Sequence, residues 1–173
     1  MASRPYAGNE PVQKTLLIVY YSMTGGTRQM ADAAARAAAA EARVALLRAP
    51  DARVEDVLAS DGYIFATPEN LAGIAGLMKD FFDRVYYPVL DRIAGRPYAL
   101  LVCAGSDGAN AVRQVERIAT GLRLRRVCEP VIVCTNAQTP EAILAPKIIG
   151  REDIARCEEV GAAMAAGLAA GIY

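Results

Sequence analysis

The chain has 173 residues, of which 54% are apolar, and its 19 basic side chains balance its 19 acidic ones. That length suits one domain with a full hydrophobic core, and the zero net charge gives no support for a nucleic-acid partner or an acidic membrane surface. Histidine is absent, which excludes Ser–His and Cys–His catalysis and the usual zinc and haem sites. We therefore predict no metal site, and we expect any difficult chemistry to belong to a bound cofactor.

The first 27 residues contain the most informative local pattern. Residues 1–14 lack the apolar core of a secretory signal, so we expect a mobile arm ahead of a single domain at residues 15–173. Residues 16–21 form an apolar run typical of a strand covered on both faces. A turn of small hydroxyl residues and glycines follows, and then an alanine-rich helix predicted over residues 27–41. This arrangement points the first backbone N–H groups of a helix at an anion, which predicts a phosphate site at Ser22, Met23, Thr24, Gly25, Gly26 and Thr27.

The rest of the chain alternates predicted strands and helices. Strands are expected at residues 44–47, 63–66, 98–103 and 127–134, and Pro130 favours a sheet edge for the last because proline cannot donate a ladder hydrogen bond. Residues 54–58 suit a short helix. Apolar side chains repeat with helical spacing at 74–85 and 112–122, and we interpret both stripes as core. A loop at 135–150 precedes a last helix whose small residues, Gly161 among them, would allow close packing on a sheet or another helix.

This alternation predicts a three-layer α/β/α sandwich with a five-stranded parallel sheet. A phosphate loop after the first strand favours the strand order 2-1-3-4-5, in which the loops after strands 1, 3 and 4 meet at one edge. The phosphate loop is neither a G-x-x-x-x-G-K-[ST] nor a G-x-G-x-x-G sequence, which excludes a triphosphate cradle and disfavours a dinucleotide there. The loop after strand 3 offers Asn70 to a planar heterocycle, or uses it as a helix cap. The loop after strand 4 offers backbone donors, or is a turn whose Asp107 stabilises a helix dipole.

Three segments together resemble the flavodoxin-like flavoproteins, and within them the FMN reductases and FMN-dependent NAD(P)H:quinone oxidoreductases. YYSMTGGTRQMADAAARAA is similar to the family's phosphate loop and first helix. SDGYIFATPENLAGIAGLMKDFFDR is similar to its third strand, flavin loop and third helix, and AGRPYALLVCAGSDG resembles its fourth strand and second flavin loop.

The resemblance implies one noncovalently held FMN, with its phosphate on the first loop and its ring between the other two. It implies NAD(P)H as a co-substrate and, because the flavin accepts and delivers hydride, no catalytic side chain. The ring contacts that it implies are Thr67, Pro68, Glu69, Asn70, Leu71, Cys103, Ala104, Gly105, Ser106, Asp107 and Gly108.

Two functions suit such a protein. One is a reductase that passes electrons from NAD(P)H to a quinone, a free flavin or a similar small acceptor. The other is a flavodoxin-type carrier that docks on redox proteins. A separate alternative is a module with the same fold that binds no flavin. Zero net charge and the absence of aromatic residues at 69–73 and 104–108 favour the reductase, because the carriers it resembles are acidic and sandwich the ring between aromatics.

The remaining expectations concern partners and location. Tyr86 or Tyr87, from this chain or a neighbouring subunit, is a candidate border of the acceptor space, and the alternative is that both are surface tyrosines. The third and last helices are candidate surfaces for a homodimer or higher oligomer. The apolar stretch at 161–173 is too short to cross a bilayer, which takes about 20 residues, so no membrane insertion is expected. Four cysteines without C-x-x-C spacing predict free thiols and a cytoplasmic protein.

Overall fold

The computed structural model describes residues 13–173, so the predicted arm, apart from Gln13 and Lys14, lies outside the described residues. The strands are β1 (Thr15–Tyr20), β2 (Arg43–Arg48), β3 (Gly62–Asn70), β4 (Gly73–Ile74), β5 (Pro97–Ala104), β6 (Arg125–Arg126) and β7 (Val131–Cys134). The helices are α1 (Gly26–Ala38), α2 (Val54–Leu58), α3 (Gly76–Val89), α4 (Ala109–Gly121), α5 (Pro140–Leu144) and α6 (Arg151–Ala169). No helix in residues 13–173 has the length and apolar character needed to cross a bilayer.

The sheet has the predicted order. β2, β1, β3 and β5 pair in parallel, and β6 and β7 both pair with the outer edge of β5. β6 and β7 occupy the place of the predicted fifth strand, which confirms the order 2-1-3-4-5. The prediction of one continuous strand over 127–134 is wrong, since residues 127–130 are not in a strand. Pro130 lies in this interruption, at the edge of the sheet. That position was predicted, because proline has no N–H to donate to a neighbouring strand.

Alternation along the strands divides the core in two. Leu17 and Val19 of β1 face one cluster with α3 and α4, whereas Leu16 and Ile18 face the other with α1 and α6. Because side chains of a strand point alternately to its two faces, a continuous apolar run buries both. This arrangement is the expected α/β/α sandwich, and it places the N-termini of α1, α3 and α4 at the carboxyl edge of the sheet.

The close packing expected of the last helix is present between α6 and α1. A Cβ added at Gly161 would fall against the carbonyl oxygen of Ala34 and 2.7 Å from its carbonyl carbon. Arg36 of α1 and Glu158 of α6 form an ion pair at 3.6 Å. One small-residue face of α6 is therefore packed on α1 within the chain, while Ala162 and Ala163 on its other side are exposed.

Candidate functional site

A groove opens where three loops meet at the carboxyl edge of the sheet. Ligand sites of open α/β sheets lie at this position, where the strand order reverses. The groove is lined by residues of all three loops and of the segment after β7, namely Ser22, Met23, Thr24, Thr27, Pro68, Glu69, Asn70, Cys103, Ala104, Gly105, Thr135, Ala137, Ile143 and Lys147.

The first loop delivers the start of α1 to this groove. Gly25 turns the chain with φ of 90°, a conformation that favours glycine. The Gly25 N–H donates to the Ser22 hydroxyl at 3.1 Å, which closes the turn. α1 begins with no side-chain cap and with no acidic residue in its first turn. Its first backbone N–H groups are thus available to an anion, and the helix dipole favours negative charge there.

The second loop is shorter than predicted, because β3 continues through Thr67 and Pro68 to Asn70. The chain reverses at Leu71 and Ala72, with φ of 50° and 59°, and β4 pairs back antiparallel to β3. The prediction that the strand ends at residue 66 is therefore wrong. The hairpin holds Asn70 beside the groove, and among residues 13–173 its side-chain amide has no hydrogen-bond partner. This amide is free to donate to and accept from a ligand.

Glu69 connects the second and third loops. Its carboxylate accepts the Gly108 N–H at 2.7 Å and the Ala111 N–H at 3.3 Å. Both N–H groups lie at the start of α4, where the helix dipole also stabilises a negative charge. Glu69 thereby holds the third loop in place against the hairpin, and the start of α4 stabilises its negative charge.

The structure brings ten of the predicted site residues to the groove and places the other seven outside its lining. Those in the lining are Ser22, Met23, Thr24, Thr27, Pro68, Glu69, Asn70, Cys103, Ala104 and Gly105, and those outside it are Gly25, Gly26, Thr67, Leu71, Ser106, Asp107 and Gly108. Thr67 is fully buried, and its hydroxyl donates to the Pro68 carbonyl and accepts the Ala75 N–H. Leu71 is fully exposed at the tip of the hairpin. The ligand contacts themselves remain predictions.

Sequence reasoning missed a fourth wall of the groove, which we call the strap (residues 135–149). It supplies Thr135, Ala137, Ile143 and Lys147 to the lining. The stretch was predicted as a loop, and that prediction is wrong in part because it contains α5. One end of the strap is held by backbone hydrogen bonds from Thr135 to Ala104 and from Asn136 to Gly105, at 2.9 and 2.7 Å.

Gln29 of α1 holds the other end of the strap. Its side-chain amide donates to the carbonyls of Gly25 and Lys147, at 3.0 and 2.7 Å, and accepts the Ile149 N–H at 3.1 Å. The Lys147 N–H also donates to the Thr24 carbonyl at 2.9 Å. The phosphate loop and the strap are therefore one hydrogen-bonded unit. The signal in the sequence was a single amide side chain one turn into an otherwise alanine-rich helix.

Two buried thiols, Cys103 in the groove wall and Cys157 in α6, are held protonated. Burial raises the pKa of Cys103, against the opposing effects of a hydrogen bond with Thr27 and the charge of Lys147. Burial also raises the pKa of Cys157 to about 12. A neutral thiol is a poor nucleophile, so Cys103 is a packing residue of the groove wall. Within residues 13–173 no cluster of metal-binding side chains is present.

The family model described as NADPH-dependent FMN reductase matches residues 48–138. This match includes the β3–β4 hairpin and the third loop, and it spans just over half of the chain.

Individual relatives have the same fold. A curated protein named Flavodoxin from Aquifex aeolicus (strain VF5) is 33% identical over 94 residues, which cover 53% of this chain and 49% of the relative. The match thus spans about half the length of that relative. A flavodoxin from the domain Archaea superposes with a TM-score of 0.73 at 14% identity, covering 89% of this chain and 98% of its own. A WrbA-like flavodoxin from Agrobacterium tumefaciens superposes with a TM-score of 0.68 at 18% identity, covering 88% of this chain and 96% of its own. Both solved structures confirm the flavodoxin-like fold.

Proposed function

The chain belongs to the NADPH-dependent FMN reductase family, and from this premise we propose that it is an FMN-dependent reductase that takes hydride from NAD(P)H and passes electrons to a quinone, a free flavin or a similar small acceptor. FMN binding and an oxidoreductase role follow from the family. The bound flavin would accept and deliver the hydride, and the side chains of this protein would bind, orient and shield it.

The residues of the groove fit FMN. The residues Ser22, Thr24 and Thr27 line the groove near the start of α1. Their hydroxyls and the first N–H groups of the helix are neutral donors suited to a phosphate dianion. Asn70 offers one donor and one acceptor group at the other side of the groove, which matches the mixed polar edge of a flavin ring. Aliphatic contacts come from Pro68, Ala104 and Ile143. The Glu69 carboxylate accepts N–H groups at the start of α4, which offsets part of its repulsion of an anion.

One observation carries the choice of a reductase: no aromatic side chain is among the described residues that line the groove. A ring held there would have no tyrosine or tryptophan of this lining against it, which would leave one of its faces open to a nicotinamide. The zero net charge of the chain agrees, because docking of a small carrier on a redox partner depends on charge complementarity. The flavodoxin-type carrier is the second candidate, since the Aquifex relative is named Flavodoxin.

The tyrosine hypothesis now needs a neighbouring subunit. Tyr86 and Tyr87 lie ten and eleven residues into α3, about 15 Å along the helix from the end that faces the groove. The Tyr86 hydroxyl packs against Gly121 at the far end of α4. Tyr87 is 79% exposed. Within a single chain neither tyrosine borders the groove.

A homodimer or higher oligomer is proposed to use α3. Leu77 and Tyr87 of this helix are exposed, whereas one small-residue face of α6 is packed on α1. The four free cysteines support the proposed cytoplasmic location. Sedimentation of the full chain tests the oligomer, and a monomer mass at micromolar concentration would contradict it.

The decisive experiment is flavin retention followed by anaerobic reduction. Purified protein is mixed with FMN, freed of excess, and its visible flavin bands are recorded before and after one equivalent of NADPH or NADH. We expect the bands to be retained and then bleached completely by one of the two nucleotides. Bound flavin that neither nucleotide bleaches would favour the carrier, and a protein that retains no flavin would contradict both candidates.

A further inference from the structure

We propose that Lys147, in the strap, is a further phosphate-binding residue of the groove and makes this protein select FMN over riboflavin. The inference rests on the proposed function, because it concerns the flavin that the groove is proposed to hold. Neither the sequence motifs nor the family match at residues 48–138 includes this residue.

The first observation is the position of the Lys147 backbone. Its N–H donates to the Thr24 carbonyl at 2.9 Å, and its carbonyl accepts the Gln29 amide at 2.7 Å. A Cβ added at Gly26 would lie 3.3 Å from the Lys147 Cβ. The side chain therefore starts beside the phosphate loop, and its backbone is anchored there by bonds that do not involve its ammonium group.

The second observation is the charge of the groove. Two of the described lining residues, Glu69 and Lys147, are charged. Lys147 is thus the positively charged residue among the described lining residues, while the Glu69 carboxylate is held at the start of α4 by the Gly108 and Ala111 N–H groups. The nearby Arg28 has a side chain that is 67% exposed and is paired with Asp32 at 3.5 Å, so it does not replace Lys147. The Lys147 charge is felt inside the groove, since it lowers the pKa of Cys103 against the effect of burial.

The third observation is what the ammonium now contacts. Its Nζ donates to the carbonyls of Ala142, Ile143 and Ala145, at 2.6, 2.9 and 2.6 Å. These carbonyls belong to the exposed C-terminal end of the five-residue α5, where water can replace the ammonium. We infer that the ammonium leaves these carbonyls when a flavin phosphate enters the groove, because a phosphate dianion attracts it while uncharged riboflavin does not.

The test compares FMN with riboflavin, which differs from it in lacking the phosphate. Dissociation constants of both are measured by quenching of flavin fluorescence for the wild type, Lys147→Met and the matched control Lys79→Met. Lys79 is an exposed lysine of α3 that pairs with Asp83 and lies outside the groove lining. For Lys147→Met we expect the FMN dissociation constant to rise about tenfold, equivalent to about 1.4 kcal/mol, while riboflavin changes less than twofold. Lys79→Met is expected to change neither.

Ionic strength gives a second readout. Screening weakens charge–charge attraction, so salt should weaken FMN binding to the wild type more than to Lys147→Met. Equal weakening of both flavins in Lys147→Met would overturn the proposal and identify Lys147 as a cap of α5. Unchanged FMN affinity would overturn it as well. Gln29→Leu, which removes the hydrogen bonds that hold the strap, is expected to weaken the binding of FMN and of riboflavin alike. It shows what a loss of binding without phosphate selectivity looks like.

These outcomes are separate from those of the proposed function. A wild type that binds FMN selectively but is not bleached by NADPH or NADH would contradict the reductase and leave Lys147 supported. If the flavin of the wild type is bleached but Lys147→Met binds FMN as tightly as the wild type, the reductase is supported and the role of Lys147 is contradicted. A wild type that binds neither flavin would contradict both.

Discussion

Replacement of Gly161 by alanine is expected to destabilise the folded protein by about 3 kcal/mol. The added methyl group would meet the Ala34 carbonyl oxygen and lie 2.7 Å from both the carbonyl carbon and the Cα of Ala34. These are backbone atoms within α1, so they cannot move aside as a side chain can. α6 and α1 would have to separate, which would open the apolar layer between them, including the fully buried Met30 and Met164.

The matched control is Gly76→Ala. Gly76 also lies in a helix, and an added Cβ there has no atom within 4 Å. Alanine should stabilise that position by up to about 1 kcal/mol, because glycine loses more backbone entropy on folding. Urea unfolding followed by circular dichroism measures both variants. A Gly161→Ala protein as stable as the wild type would mean that α1 and α6 are not packed as described.

This packing also matters for the groove. Residue 34 lies eight residues after the start of α1, about 12 Å along the same helix. A displacement of α1 at Gly161 would therefore tilt the helix whose first N–H groups face the groove. We infer that the contact between α1 and α6 supports the phosphate loop from behind, although none of its residues lines the groove.

The sequence predicted the parts of the fold in which one physical signal dominates. The apolar run of β1 and the helical stripe of α3 from Met78 to Val85 each reflect burial, and burial is visible in residue type. The predicted start of that stripe is wrong, because Ile74 lies in β4 and Leu77 is exposed. The strand order followed from the position of the phosphate loop and from the handedness of parallel connections. Pro130 marked the sheet edge correctly because its missing N–H acts locally.

The parts that sequence reasoning missed depend on long-range contacts or on weak turn signals. The hairpin after Asn70 turns through Leu71 and Ala72, neither of which is a usual residue for positive φ. The strap lacks a buried stripe, since none of the residues of α5 is buried. It is held by Gln29, which is 118 positions away from Lys147. Hydrogen bonds over such distances leave no periodicity, so a wall of the groove was predicted as a plain loop.

Replacement of Gly26 by valine is expected to weaken FMN binding at least about a hundredfold, or about 2.7 kcal/mol. A Cβ at this position would lie 2.7 Å from the Cys103 Sγ, 3.3 Å from the Lys147 Cβ and 3.4 Å from the Ile149 Cδ1. A branched side chain cannot fit between the phosphate loop, β5 and the strap, so these parts must move apart. Donors that shift by 1 Å lose most of a hydrogen bond to a phosphate.

The loss should be confined to the groove, because the neighbours of Gly26 lie at the edge of the sheet. Gly150→Val is the matched control: it lies just after the strap, its φ of −64° suits any residue, and an added Cβ has no atom within 4 Å. We expect it to bind FMN like the wild type. The smaller change Gly26→Ala should weaken binding less than valine does. Removing the nearest obstacle with Cys103→Ala should restore part of that loss, since the double variant frees the space that Sγ occupies. If Gly26→Val bound FMN as tightly as Gly150→Val does, the flavin phosphate would not be held between this loop and the strap.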